Sequence, residues 1–346
     1  MTLPQSPAAR KPPSRAWLFG PYIVLLIAIV AWSGAWLWIR GQVADRLQAS
    51  RGTLGQGPTF GWSRSRIGGY PFRIEVILDD ARAAEPSGWA LAAPQVRAES
   101  YAYDLKHWVA YAPNGMVLSR PGGGDVAVTG QALRASLVTP APGEAELAAE
   151  GLKLAFAQQP GAKPFPLTAV DHIDAHTRPA AGTAGATEFL VQIQGARLTA
   201  GSALGRIAAG QPVSSAWHGT ISQTQGLAAR DWPALAKAWA AAGGSIVLAD
   251  GWVTAGPFDL HAGGGQLSIG PDGRLRGKLT LGLARAPASL AALARAGALP
   301  PDLASASGQI AEARRAASPA ASADLTFQAG VATFGPIAIG PAPRIY

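Results

Sequence analysis

The stretch SRSRIGGYPFRIEVILDD, residues 63–80, decides the fold class. Apolar and polar residues alternate on both sides of its centre, and this period of two indicates β-strands with one buried face. Glycine accepts positive φ, while proline fixes its own φ and pushes the residue before it to an extended state. The centre therefore predicts a tight corner between two strands. Its residues are Gly68, Gly69, Tyr70, Pro71 and Phe72.

A binding loop is the alternative interpretation of this corner. Glycines that cradle a phosphate lead into the N-terminus of a helix, whereas Gly68 and Gly69 lead into a predicted strand. We therefore interpret residues 68–72 as a structural corner.

Similar alternation recurs along the chain and predicts a mostly β protein with a few helices, an α+β fold built on a large antiparallel sheet. The turn sequences Pro113-Asn114-Gly115 and Pro271-Asp272-Gly273 predict hairpins. The sequence LTAVDHIDAH also favours a strand. Further strands are predicted near residues 96–103, 126–128, 135–138, 152–156, 188–193, 266–269, 275–281, 325–327 and 331–339.

Composition agrees with this class. Of 346 residues, 14% are charged, well below the usual quarter, and 42 Gly with 28 Pro favour short strands and turns over long helices. There is no Cys, which excludes a disulfide framework, a cysteine zinc site and a catalytic thiol. The net charge of +8 is scattered rather than grouped in blocks. It predicts no nucleic-acid partner and suits an anionic membrane surface.

Residues 17–39 carry no charge and would reach roughly 34 Å as a helix, enough to cross a hydrocarbon core of about 30 Å. Trp17 and Tyr22 lie near one end and Trp36 and Trp38 near the other, as in aromatic belts. Three basic residues precede the segment: Arg10, Lys11 and Arg15. We predict a single-pass inner-membrane anchor, with residues 1–16 in the cytoplasm and the bulk of the chain in the periplasm. A cleavable signal peptide with SGA at 33–35 as its processing site is the main alternative, and a buried core helix is another.

After the anchor, residues 40–57 predict a helical stalk, in which Val43, Ala44 and Leu47 form a modest apolar stripe. Residues 58–346 predict a periplasmic β-rich domain. The Pro/Gly/Ala-rich stretch 177–187 is a candidate weak seam within it.

Two helical regions interrupt the second half. In the first, Asp231 can cap the helix, Pro233 suits its first turn and Gly243-Gly244 ends it. Trp232 and Trp239 share an apolar stripe with Leu235 and Ala236. We expect this stripe to pack on the sheet, and a ligand groove lined by the two tryptophans is the alternative. The second region is predicted near residues 287–317.

The order of the anchor, IGGYPFRIEVIL, APQVRAESYAYDLKHWVAYAP and the terminal GPIAIGPAPRIY resembles the bacterial family catalogued as Domain of Unknown Function 2125. The resemblance covers nearly the whole chain and implies no catalytic residue, because that family is uncharacterised. The chain also looks distantly like the AsmA-like envelope proteins, whose repetitive sheets follow an inner-membrane anchor. Residues 251–283 are similar to the repeat of those proteins, which is a β-hairpin interrupted by glycines.

No motif for catalysis or a cofactor is present. His172 and His176, near Asp171 and Asp174, have a spacing that would bring metal ligands together on a helix, but the segment predicts a strand. There is no nucleophile elbow, no P-loop and no HExxH sequence. We therefore expect no enzyme, no metal and no cofactor.

Three function classes remain. A structural or lipid-handling protein of the cell envelope is favoured, because tryptophan is abundant and charge is sparse. A protein–protein scaffold for an envelope complex, pairing through sheet edges, is the alternative. An enzyme is the least favoured. The expected partners are the inner membrane and either a lipid or another envelope protein.

Overall fold

The computed structural model of the protein describes residues 16–53, 58–141, 143–225, 227, 231–297, 321–335 and 337–346. Strands make up 53% of the chain and form one large antiparallel sheet, accompanied by four helices in the described part. The predicted mostly β fold with an N-terminal apolar helix is confirmed.

The sequence predicted some of the four described helices and missed one. α3 begins after Asp231, whose side chain accepts a hydrogen bond from the Ala234 amide, and ends before Gly243 at φ +74°, as predicted. The fourth covers the start of the predicted region 287–317, of which residues 298–317 lie outside the described residues. The second was not predicted, because six residues are too few to show a periodic pattern. The helices are α1 (Ala16–Ala49), α2 (Ala203–Ala208), α3 (Trp232–Ala241) and α4 (Ala286–Arg295).

Strands that are neighbours along the chain are mostly neighbours in the sheet, and every pairing is antiparallel. The strands are β1 (Gly52–Thr53), β2 (Thr59–Gly61), β3 (Arg64–Gly68), β4 (Arg73–Ala84), β5 (Ala90–Tyr101), β6 (Asp104–Tyr111), β7 (Met116–Arg120), β8 (Gly124–Thr129), β9 (Ala132–Val138), β10 (Glu146–Gln158), β11 (Leu167–Pro179), β12 (Thr187–Leu198), β13 (Val213–Ile221), β14 (Ser245–Ala255), β15 (Phe258–Ile269), β16 (Leu275–Leu283), β17 (Ala321–Gln328), β18 (Val331–Phe334) and β19 (Ile337–Pro341).

Three positions in the sheet hold two short strands end to end. These are β2 with β3 along β4, β6 with β7 along β5, and β8 with β9 along β10. The hairpin predicted at Pro113-Asn114-Gly115 is therefore wrong, because β6 and β7 run in the same direction against one partner. The turn only separates β6 from β7. The Ala112 amide bonds the Leu133 carbonyl of β9 at 3.0 Å, which holds the chain in the direction of β6 as it enters the turn. The hairpin at residues 271–273 is confirmed, with Ile269 opposite Leu275.

The register divides the sheet into an apolar inner face and a polar outer face. One row of directly paired residues crosses the sheet from β3 to β17 without a polar member. Its members are Ile67, Val76, Ala98, Ala110, Ala135, Ala149, Ala175, Val191, Trp217, Gly251, Ala262, Leu281 and Ala323. The side chains of the adjacent row point to the outer face, and many of them are polar or charged. They include Arg66, Arg97, Arg134, Glu150, Asp174, Gln192 and His261.

Helices cover parts of the inner face. α2 and α4 contact each other and lie over the apolar cluster that includes Val170, Val213 and Phe258. The C-terminal half of α1 packs on β4 through the cluster that contains Ile74 and Val76. Between these covers, Leu137 and Leu147 of the inner face are 37% and 51% exposed.

The corner at residues 68–72 joins β3 to β4, as the sequence predicted. Gly69 has φ +99°, and the Arg73 amide bonds its carbonyl at 2.9 Å. A Cβ on Gly69 would lie 2.7 Å from the Arg73 carbonyl oxygen, whereas a Cβ on Gly68 would meet nothing within 4 Å. Only the second glycine is therefore required by the backbone.

We expect Gly69→Val to lower the free energy of unfolding by about 1–3 kcal/mol, because a β-branched residue resists positive φ and meets the Arg73 carbonyl. Gly68→Val is the matched control and should be close to neutral. Thermal unfolding of the full chain in mild detergent measures both. A Gly69→Val protein with native stability and impaired ligand binding would make the corner a binding site instead.

Candidate functional site

Side chains of α1 fasten this helix to the corner by hydrogen bonds. Trp32 Nε1 donates to the Pro71 carbonyl and Trp36 Nε1 to the Arg73 carbonyl, each at 2.9 Å. The Trp36 ring meets the Tyr70 ring edge to face at 5.5 Å. Because indole N–H groups and carbonyls of the strand ends pair here, the helix has a defined position on the sheet.

The region predicted as a stalk is helical up to Ala49 and is part of the core. Val43 and Leu47 pack with Ile74 and Val76, and Ile74 is completely buried. The modest apolar stripe of the sequence thus faces the sheet, and residues 54–57 lie outside the described residues. A truncated chain that lacks α1 and starts at the β domain would expose this part of the inner face.

An apolar cavity of about 400 Å³ begins where α1 ends. Leu47 of the helix lines it together with Phe60 and Trp62 from the first strands and Leu91 and Met116 from across the sheet. Leu91 is 47% exposed although it lies on the inner face. Apolar surface of this kind in a concavity favours an apolar ligand.

A second apolar cavity of about 480 Å³ lies between α3 and the ends of β13 to β16. Trp232 and Trp239, the predicted stripe residues, both line it, with Leu267 and Leu275 on the sheet side. Trp239 is buried and its Nε1 donates to the Ser222 carbonyl at 2.7 Å, while Trp232 is 52% exposed. The stripe therefore both packs on the sheet and borders a groove.

A hydrogen bond joins two distant parts of the chain near these cavities. The Trp232 amide donates to Glu85 Oε2 at 3.1 Å. Glu85 lies two residues after Ala83, which lines the first cavity, and Trp232 lines the second. A strand twist of roughly 20–25° accumulates to about 180° between β4 and β14, which explains how opposite strand ends can meet.

The described part of the outer face carries cross-strand ion pairs. Glu188 accepts from Arg178 Nε at 2.7 Å and pairs with His218 Nε2 at 2.8 Å. The hydrogen bond from Arg178 holds the pKa of Glu188 below its usual range, and the bond to Glu188 raises the pKa of His218. A hollow of about 390 Å³ lies beside these groups, whose charges are already satisfied by one another.

The two histidines whose spacing resembles that of metal ligands have separate carboxylate partners. His172 and His176 lie on one face of β11, and each has its own carboxylate partner, Glu150 at 3.6 Å and Asp174 at 3.1 Å respectively. Among the described residues, no group of three His, Asp or Glu side chains could hold a metal ion. Asp79 and Asp80 lie inside β4, and Asp80 accepts from Ser63 Oγ at 2.7 Å.

Sequence reasoning missed the cavity at the end of α1. Its lining comes from segments far apart in sequence, so no local pattern reports it. A signal was available in the apolar stripe of residues 43 and 47, which continues the anchor helix toward that cavity.

Residues 36–343 match a family described as an uncharacterised protein conserved in bacteria, DUF2125. The chain belongs to this family. No curated protein and no solved structure matches it. The resemblance to DUF2125 is thus confirmed, and the distant likeness to AsmA-like envelope proteins stays a prediction. The matched part of the DUF2125 chain begins at Trp36, so it includes the bond from Trp36 to the Arg73 carbonyl but not the bond from Trp32 to the Pro71 carbonyl.

Proposed function

We propose that this DUF2125 protein is a non-enzymatic, inner-membrane-anchored protein that handles lipid in the bacterial cell envelope. The observation that carries the proposal is the apolar inner face, which begins at the anchor helix and holds two apolar cavities. Acyl chains are the apolar ligand most available to a surface beside a membrane.

Cavity size and lining support this assignment. Volumes of about 400 and 480 Å³ fall within the range of small-molecule sites, and the linings are mainly aliphatic and aromatic side chains. The exposed inner-face residues Leu137 and Leu147 extend the apolar surface beyond the cavities. A fully packed sandwich would leave no such surface.

The contacts of α1 support an anchor that is retained. The helix is long and apolar enough to cross a membrane, and residues 21–31 are exposed. Trp32 and Ser33 contact the corner on one side of the alternative cleavage site, and Trp36 contacts it on the other. Cleavage there would remove part of this fastening.

The orientation of the chain across the membrane is tested by fusing alkaline phosphatase after Tyr346. The basic residues before the anchor predict a C-terminus outside the cytoplasm, so the fusion should be active and full-length on a blot. An inactive fusion would reverse the orientation, and a product shortened to begin near Trp36 would indicate a cleaved signal.

For lipid binding, we expect Leu91→Glu to weaken the affinity for a fluorescent phospholipid on the order of tenfold, because a carboxylate in an apolar cavity must be desolvated. Val247→Glu is the matched control: Val247 is also 47% exposed but alternates to the outer face. Titration of the full chain in mild detergent measures both, and the control should bind like the wild type. Absence of saturable binding to the wild type, or an equal loss in both variants, would contradict the proposal.

Pairing with another envelope protein is the second candidate. Within the described residues β19 pairs with β18 alone, which leaves one edge of the sheet for an added strand. A wild type that binds no phospholipid but co-purifies stoichiometrically with one envelope protein would favour this function.

A further inference from the structure

The free part of the anchor helix is shorter than a membrane. The apolar segment starts at residue 17, and Trp32 is the first of its described residues that bonds the sheet domain. The 15 or so residues between span roughly 22 Å of helix, whereas a hydrocarbon core is about 30 Å thick and needs about 20 residues. Tilt would only lengthen the segment required.

The missing length cannot come from the N-terminal side, because Arg15 and Lys11 lie there and belong at the headgroup level. A span of about 20 residues from residue 17 therefore ends near Trp36. Trp36 contacts Tyr70 and bonds the Arg73 carbonyl. The outer boundary of the hydrocarbon core thus lies level with the corner of the sheet domain.

The surface at this level has the composition of a membrane interface. Two adjacent turns meet here, since the Ala102 amide bonds the Phe72 carbonyl at 2.9 Å. They present four exposed aromatic side chains, and Tyr101 stacks on Tyr103 with 5.1 Å between ring centroids. These side chains are Tyr70, Phe72, Tyr101 and Tyr103, with exposed fractions of 53%, 62%, 46% and 68%. Amphipathic aromatic rings are enriched where water gives way to lipid.

Several backbone carbonyls of the corner have hydrogen-bond partners within the protein. The Pro71 and Arg73 carbonyls accept from the two indoles of α1, and the Gly69 carbonyl accepts from the Arg73 amide. Non-helical backbone at membrane depth needs such internal partners. The ion pair of Arg73 with Glu99, at 3.2 Å and with Arg73 largely exposed, limits insertion to the headgroup level.

We propose that the two turns bearing Tyr70, Phe72, Tyr101 and Tyr103 insert into the interfacial layer of the phospholipid bilayer beside the anchor. This inference rests on the membrane anchor of the proposed function. Insertion places the start of the apolar inner face directly at the bilayer, and it gives the aromatic residues of the corner a role beyond turning the chain.

The chain has no cysteine, so single-cysteine variants can carry a fluorescent nitrobenzoxadiazole label at chosen depths. Tyr103→Cys and Phe72→Cys report the two turns, and Ile27→Cys reports the helix. Trp89→Cys is the matched control, an exposed aromatic position at the opposite end of β5, roughly 40 Å from Tyr101. Each labelled full-length chain is reconstituted into phosphatidylethanolamine–phosphatidylglycerol vesicles with or without nitroxide-bearing phospholipid. Melting curves check that each variant is folded.

We expect nitroxide lipid to remove most of the fluorescence at residues 27, 72 and 103 and little at residue 89. Labels at residues 72 and 103 that remain as bright as the label at residue 89, while residue 27 is quenched, would overturn the inserted surface and leave the anchor intact. An unquenched label at residue 27 would overturn the anchor and the inserted surface together. Because lipid occupancy of the cavities plays no part in this readout, failure of lipid binding is detected separately.

Discussion

The apolar inner face of the sheet must be kept from water, and this requirement shapes the rest of the molecule. A meander of 19 described strands offers far more inner face than four described helices can cover. α1 covers the part at β4, and α2 with α4 covers the part around Val170 and Phe258. The surface left between these covers becomes the two cavities and the exposed Leu137 and Leu147.

α1 meets this requirement in two ways along its length. Its N-terminal part exposes apolar residues that suit lipid, and its C-terminal part buries Trp36 against the sheet. In the proposed function, this one continuous helix joins the membrane to the core of the domain. The β domain without residues 32–49 would lose the cover over Ile74 and Val76, so binding studies belong on the full chain.

The sequence predicted the elements that depend on local patterns. Alternation gave the antiparallel sheet, and the residues Asp231, Pro233 and Gly243 located α3. Tertiary pairing determined the rest. β6 and β7 share β5 as partner through contacts that residues 113–115 do not encode, and α2 is too short for a pattern.

The candidate site could be predicted only in part. Trp232 and Trp239 were found because they lie on one helix face, and they do line a cavity. The cavity at the end of α1 combines residues from 47 to 116, and its existence depends on sheet register and helix docking. The contact of Glu85 with the Trp232 amide likewise depends on the twist of the whole sheet, which cannot be predicted from the sequence of any one strand.

In the proposed function, the uncovered inner face holds acyl chains. Extraction and mass spectrometry of lipid that co-purifies with the full chain in mild detergent tests it most directly. We expect phospholipid in an amount roughly stoichiometric with the protein, and we expect it to remain bound through detergent exchange. A folded chain that retains no lipid after exchange, with the labelled anchor still inserted in vesicles, would contradict it.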